Sequence, residues 1–203
     1  MIWFFTHFTR LLKWLRFKRV HMINSYSPNG KSTVYYLNHN YWWDGLIPLY
    51  LNHRLFKQHA RAFMEDKQMK KHWFFSKIGA FSINLNNPRS VISSLRFAVD
   101  SLSQSNSGVY IYPEGKIVPP SSQVQPFKGG LAWLAQNCSG VDFVPVAIHI
   151  DNSKQSKPEL YLMVGSPKNP DPTLSKNELT TKFENELNSL MRTLFDQIYH
   201  VHS

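Results

Sequence analysis

Residues 34–45 read VYYLNHNYWWDG. A β-branched and aromatic run ends on Asn38-His39, and Asp44-Gly45 follows within the reach of one turn. The composition of the run is that of a buried strand, and the residues after it are those of a turn. A strand that ends on histidine, with a carboxylate brought back beside it, builds a general base. The imidazole takes a proton near neutral pH, while the carboxylate fixes its tautomer and stabilises its protonated form. His39 and Asp44 are therefore the candidate catalytic pair.

On either side, strands alternate with helices. Residues 25–30 (SYSPNG) form a turn by composition, and 31–37 the first strand. Leu46, Ile47, Leu49, Tyr50 and Leu51 mark a helix after Asp44. Residues 60–64 read as a strand, 66–77 as a helix carrying Lys67, Lys70, Lys71 and Lys77, and 81–85 as a short strand. Asn87-Pro88 opens a helix with Ile92, Leu95, Val99 and Leu102 at spacings of three and four. Residues 108–112 (GVYIY) form a strand that runs into Pro113-Glu114-Gly115. A helix over 127–137 and strands over 141–150 and 160–164 follow. Ser175-x-x-Glu178 is a capping box, and Leu179, Phe183, Leu187, Leu190, Met191, Leu194, Phe195 and Ile198 then share one helical face. The alternation predicts a single α/β domain over residues 25–203, with helices packed around a mixed central sheet. In such folds chemistry collects at the carboxyl ends of strands, where His39 and Glu114 both lie.

The chain has 203 residues, enough for one domain with a substantial core, and its net charge of +10 calls for an anionic partner. No acidic residue precedes Asp44, whereas Arg10, Lys13, Arg16, Lys18, Arg19 and Lys31 do. At the helical period, Phe4, Phe8, Leu11, Leu12 and Leu15 fall on one face, with Arg10, Lys13 and Arg16 opposite and Trp3 and Trp14 at the flanks. Residues 1–24 therefore read as an amphipathic membrane-associating helix lying in the interface of an anionic leaflet. Its apolar run is too short to span a bilayer, and charges run through it, unlike a signal peptide. No RRM, KH or zinc-finger signature supports nucleic-acid binding. The histidines lack metal-ligand spacing, and no dinucleotide or phosphate-loop glycine pattern is present. The single Cys138 excludes an internal disulfide and has no thiolate-activating context.

A lone H-x4-D is weak evidence in a chain with nine histidines. Here it is followed in order by GAFSINLNN (79–87), YPEG (112–115) and VPVAI (144–148). Over residues 33–150 this order resembles the glycerolipid acyltransferase family of phospholipid biosynthesis, whose blocks include NHxxxxD and F-P-E-G. The resemblance implies transfer of an acyl group to an acceptor hydroxyl. The co-substrate would be acyl-CoA or acyl carrier protein, with no further cofactor. His39 would be the base and Asp44 its partner. Glu114 and Gly115 would place the acceptor, with positive charge from Lys116, Arg89 or Lys128. Trp42, Trp43 and Pro145 would shape the acyl pocket or lipid entrance. The enzyme would be monotopic on the cytoplasmic face of a membrane. Two departures concern the acceptor. Leu85 and Ile117 stand where the family commonly has arginines associated with the acceptor phosphate, and neither supplies the bidentate fork of arginine. A lysophospholipid and a non-phosphate acceptor, such as a glycolipid or an isoprenoid glycoside, both stay open. So does a catalytically inactive membrane-binding relative.

Overall fold

The computed structural model describes residues 17–199 apart from 122, 154–156, 172 and the side chain of Trp43. The helix expected over the first sixteen residues lies outside the described residues. Strands β1 (Arg19–Asn24), β2 (Thr33–Leu37), β3 (His59–Glu65), β4 (Ala80–Ile83), β5 (Ser107–Ile111), β6 (Asp142–Asp151) and β7 (Glu159–Val164) form one sheet. Their order is β1-β7-β6-β2-β5-β3-β4. Every neighbouring pair is parallel except β6 and β7. The central strands β2 (TVYYL) and β5 (SGVYI) are buried at every position. That is why they read as runs without polar alternation: a parallel strand covered on both faces has no solvent side.

Helices α1 (Ile47–Leu51), α2 (Asp66–Lys71), α3 (Pro88–Leu102), α4 (Gly130–Asn137) and α5 (Lys176–Tyr199) flank the sheet, with 3-10 turns over Trp42–Leu46 and Trp73–Ile78 and a π-helical turn over Asn52–Phe56. Alternate residues of each strand divide the core. Val34, Tyr36, Val109 and Ile111 face α3, α4 and α5. Tyr35, Leu37, Tyr110, Val144 and Val146 face α1. On this second side the rings of Tyr35, Tyr110 and Phe56 stack at 4.4–4.7 Å. Of the α5 stripe foreseen from the periodicity, Leu179, Phe183, Leu187, Met191, Leu194 and Ile198 are buried and Leu190 and Phe195 partly buried, each fully buried side chain contributing about 1.5–3 kcal/mol. Both of its caps form: Ser175 N–H donates to Glu178 Oε2 at 2.8 Å, and Glu178 N–H to Ser175 Oγ at 3.3 Å. At α3, the Asn87 side chain accepts from the backbone of Arg89 and Ser90, with Pro88 opening the helix.

Three elements differ from the sequence expectation. Arg19–Asn24, assigned to the N-terminal helix, is instead an edge strand paired with β7. Its period is two: Val20 and Met22 pack on the α1-side core, while His21 stacks on Tyr161 at 4.3 Å and bonds Glu159 at 2.8 Å. The helix expected over 66–77 breaks at His72, whose φ of −128° and ψ of 57° are not helical. The helix expected from Phe127 begins at Gly130, because the N–H groups of Phe127 and Lys128 donate elsewhere, to Glu184 and to the carbonyl of Pro113.

Candidate active site

The end of β2 delivers the pair. Asn38 anchors it: its side-chain amide accepts from Ile148 N–H at 2.8 Å and donates to Ile148 C=O at 2.9 Å, fastening the β2 end to β6. His39 follows, with Nδ1 at 3.2 Å from Asp44 Oδ2. This is at the long end for such a bond, as catalytic contacts in unliganded sites often are. Asp44 is fully buried, and its Oδ2 also accepts from Asn40 N–H at 2.7 Å and Tyr41 N–H at 2.8 Å. The turn after His39 thus folds around the carboxylate, which is why four residues separate the two. With Nδ1–H committed to Asp44, Nε2 is the ring nitrogen left for a substrate.

β5 supplies the other wall. The Tyr112 ring stacks on the His39 imidazole with centroids 4.4 Å apart, and its hydroxyl donates to the backbone carbonyl of Asp44. Burial holds the Tyr112 hydroxyl well above its ordinary pKa, so it stays a donor. Glu114 is 2% exposed, and it accepts from His39 N–H at 2.8 Å and Gln125 N–H at 2.8 Å. Burial raises its pKa; the two N–H groups, Gln125 first, work against the rise. The carbonyl of His39 accepts from Val118 N–H at 2.9 Å. The histidine backbone is therefore held on both sides by the loop after β5.

His39 opens onto a cavity of about 530 Å³, within the range of small-molecule sites. Its walls are mainly apolar, from Phe63, Phe75, Ile83, Leu85, Val91 and Trp133 among others. Trp42, Gly115, Lys116 and Lys128 are among its lining residues. Leu85 and Ile117, the two positions that depart from the family pattern, line it too.

Other expected residues lie elsewhere. Glu114 does not line the cavity; both of its oxygens are engaged by backbone N–H groups, so it positions His39 and the 125 loop rather than meeting an acceptor. Arg89 is exposed, in a shallow groove with Arg96 and Asp100 on the outer side of α3. Pro145 lies on the same side of the sheet as the cavity, the side of α3, α4 and α5, but away from it, on β6. There it packs so closely that a Cβ on Gly165 would lie 2.8 Å from its ring. It lines a separate groove of about 820 Å³ beside α5 that shares no residue with the His39 cavity. Val144 and Val146 point to the α1 side, so Pro145 shares the cavity's side of the sheet, but β2 stands between its strand β6 and β5. Trp43 has no described side chain. The sequence reading missed the parts played by Asn38 and Tyr112. For Tyr112 a signal existed, since it stands where the family block F-P-E-G has phenylalanine.

A family model described as acyltransferase matches residues 19–149, well over half of the chain. The chain also resembles the crystal structure of the 1-acyl-sn-glycerophosphate (LPA) acyltransferase PlsC from Thermotoga maritima. The TM-score is 0.64 and the identity 18%, over 92% of this chain and 76% of that one, a likeness of fold. No curated protein matches the chain in sequence. The matched span runs from the first residue of β1 into β6 and contains His39, Asp44 and the Tyr112–Gly115 turn, so the chain belongs to the acyltransferase family.

Proposed function

We propose that the protein transfers an acyl group from a thioester, of CoA or acyl carrier protein, to a hydroxyl of a lysophospholipid-type acceptor at a membrane surface. The observation that carries this is His39, held by Asp44 and facing an apolar cavity that also contains lysines. The acceptor O–H gives its proton to His39 Nε2 as its oxygen attacks the thioester carbonyl. Asp44 stabilises the imidazolium that forms. The C–S bond then breaks, and the departing thiolate takes the proton back from His39. No covalent acyl-enzyme forms. The test is turnover by the purified full chain with a radiolabelled acyl thioester and a panel of lysolipids. Transfer without acceptor-independent labelling of the protein is expected; a labelled protein would overturn direct transfer.

A neutral acceptor is the second reading, favoured by Leu85 and Ile117 in the cavity wall. An inactive relative is disfavoured by a base whose ring, partner and backbone are each fixed by separate contacts.

The membrane reading is supported by the rim as well as the arm. Cavity-lining Trp42 and Ile117 are 45% and 50% exposed, which puts them at the opening. Trp73, next in the chain to cavity-lining His72, is 62% exposed, with Lys77 Nζ 4.7 Å above its ring. Indole and lysine together suit an anionic interface. Among the described residues no helix is long and apolar enough to cross a membrane. The full chain is expected to co-sediment with phosphatidylglycerol vesicles far better than with phosphatidylcholine vesicles. Removing residues 1–16 should weaken this binding at least about tenfold; undiminished binding would assign the contact to the rim.

A further inference from the structure

Three lysines converge on the same cavity as His39. Lys116 follows the Tyr112–Gly115 turn, Lys128 precedes α4, and Lys176 opens α5. Lys176 lies outside residues 19–149, so neither the family match nor the ordered blocks point to it. Two glycines make room for these side chains. A Cβ on Gly115 would lie 2.9 Å from both Cδ and Cε of Lys128. A Cβ on Gly129 would lie 2.1 Å from Cε and 2.8 Å from Nζ of Lys176. The stem of Lys128 therefore crosses Gly115, and the ammonium of Lys176 rests over Gly129. Any larger residue at either position would displace a lysine from the wall.

None of the three lysines has an ion-pair partner among the described residues. The nearby carboxylates are committed elsewhere. Glu114 accepts from two backbone N–H groups, Glu178 caps α5 through Ser175, and Glu184 accepts from Phe127 N–H. Glu65 lines the cavity but makes no ion pair with these lysines. Lys116, Lys128 and Lys176 are exposed, so three cations without an ion-pair partner edge the mouth of a largely apolar cavity, an electrostatic site for an anion. Ammonium groups act as point charges without the planar fork of arginine, which suits a phosphate more than a carboxylate.

We propose that Lys116, Lys128 and Lys176 form the subsite for the phosphate of the acceptor lipid, and that Lys128 and Lys176 set the preference for a phosphorylated over a neutral acceptor. This rests on the acyl-transfer reading of His39. Leu85 and Ile117 then form the apolar flank of the subsite, and its charge comes from other elements. The donor thioester also carries phosphate when it is acyl-CoA, so donor and acceptor must be varied separately.

The experiment uses the purified full chain and its Lys128→Gln, Lys176→Gln and Lys176→Arg variants. Acceptors are lysophosphatidic acid and monoacylglycerol; donors are acyl-CoA and the phosphate-free acyl-N-acetylcysteamine. Each glutamine variant should raise KM for lysophosphatidic acid about 10- to 100-fold with either donor. Any loss with monoacylglycerol should be much smaller, and Lys176→Arg should recover most of the loss with lysophosphatidic acid. An equal loss with monoacylglycerol overturns the proposal. So does a loss that disappears with the phosphate-free donor, which would assign the lysines to CoA. If the wild type turns over no acceptor, the acyl-transfer reading fails, and binding alone decides the subsite. Lysophosphatidic acid is then titrated below its micelle concentration against the fluorescence of Trp42 and Trp133, which line the cavity. A weaker affinity in Lys128→Gln/Lys176→Gln supports the subsite, and an unchanged affinity overturns it.

Discussion

Replacing His39 by alanine should lower kcat/KM by about 10²–10⁴ and leave the thermal unfolding midpoint nearly unchanged. The chemical argument is direct. An acceptor hydroxyl is a poor nucleophile until its proton is drawn off, and His39 Nε2 is the cavity-facing group whose partner fixes it as an acceptor. The structural argument explains why folding survives. The contacts that fasten this turn are made by the backbone of His39, to Glu114 and Val118, and by neighbouring Asn38 and Asp44. The imidazole itself contributes only the Asp44 bond and the stacking on Tyr112. Asp44→Asn should differ in kind. The amide oxygen can take the place of Oδ2 and keep all three bonds, with its NH₂ where Oδ1 has no partner, so the turn survives; the negative charge that stabilises the imidazolium is lost, and activity falls. Activity retained in His39→Ala, with unaltered product, would remove the general-base mechanism.

The pair was legible in the sequence because a short turn makes it. A run such as VYYL announces a buried strand, and four residues suffice to return a carboxylate to its end. The central strands were legible for the same reason, since full burial writes itself as an apolar run. Edge strand β1 was not. Its six residues show a weak period of two beside a long basic segment with a helical period, and its partner β7 lies some 140 residues away. The place of Pro145 was equally hidden, since the groove that a residue of β6 joins depends on the strand order, which sets β2 between β6 and β5. Lys176 was hidden because closeness to Gly129 is a tertiary fact, and a lysine opening a helix reads as solvated. Glu114 was located correctly and given the wrong partner: a turn carboxylate beside a catalytic residue suggests a ligand contact, whereas both oxygens turn inward to backbone.

That inward turn makes Glu114→Gln the second large effect. A carboxyl group can accept from the N–H groups of His39 and Gln125 together, even when protonated, because its hydrogen can rotate aside. A carboxamide has one accepting oxygen, so its NH₂ must confront one of the two donors in a site that is 2% exposed. Leaving a buried N–H unpaired costs about 1–3 kcal/mol. Loosening the backbone of His39 should lower kcat by a further ~10- to 100-fold, since small misplacements of a catalytic group are expensive. The pH dependence separates this from a generic defect. Burial raises the folded-state pKa of Glu114 above the ordinary value of about 4.3. Between those two values the folded state binds the proton more tightly than the unfolded chain. The contribution of Glu114 to stability is therefore full at pH below the ordinary value and declines as pH rises through the raised one. Urea unfolding of the wild type from pH 4 to 8 should carry this decline on top of the other titrations, and Glu114→Gln should lack it. The stability gap between the two proteins should thus widen towards acid pH. A gap that is constant with pH, or kcat equal to wild type, would show that Glu114 neither titrates in the fold nor holds His39 in place.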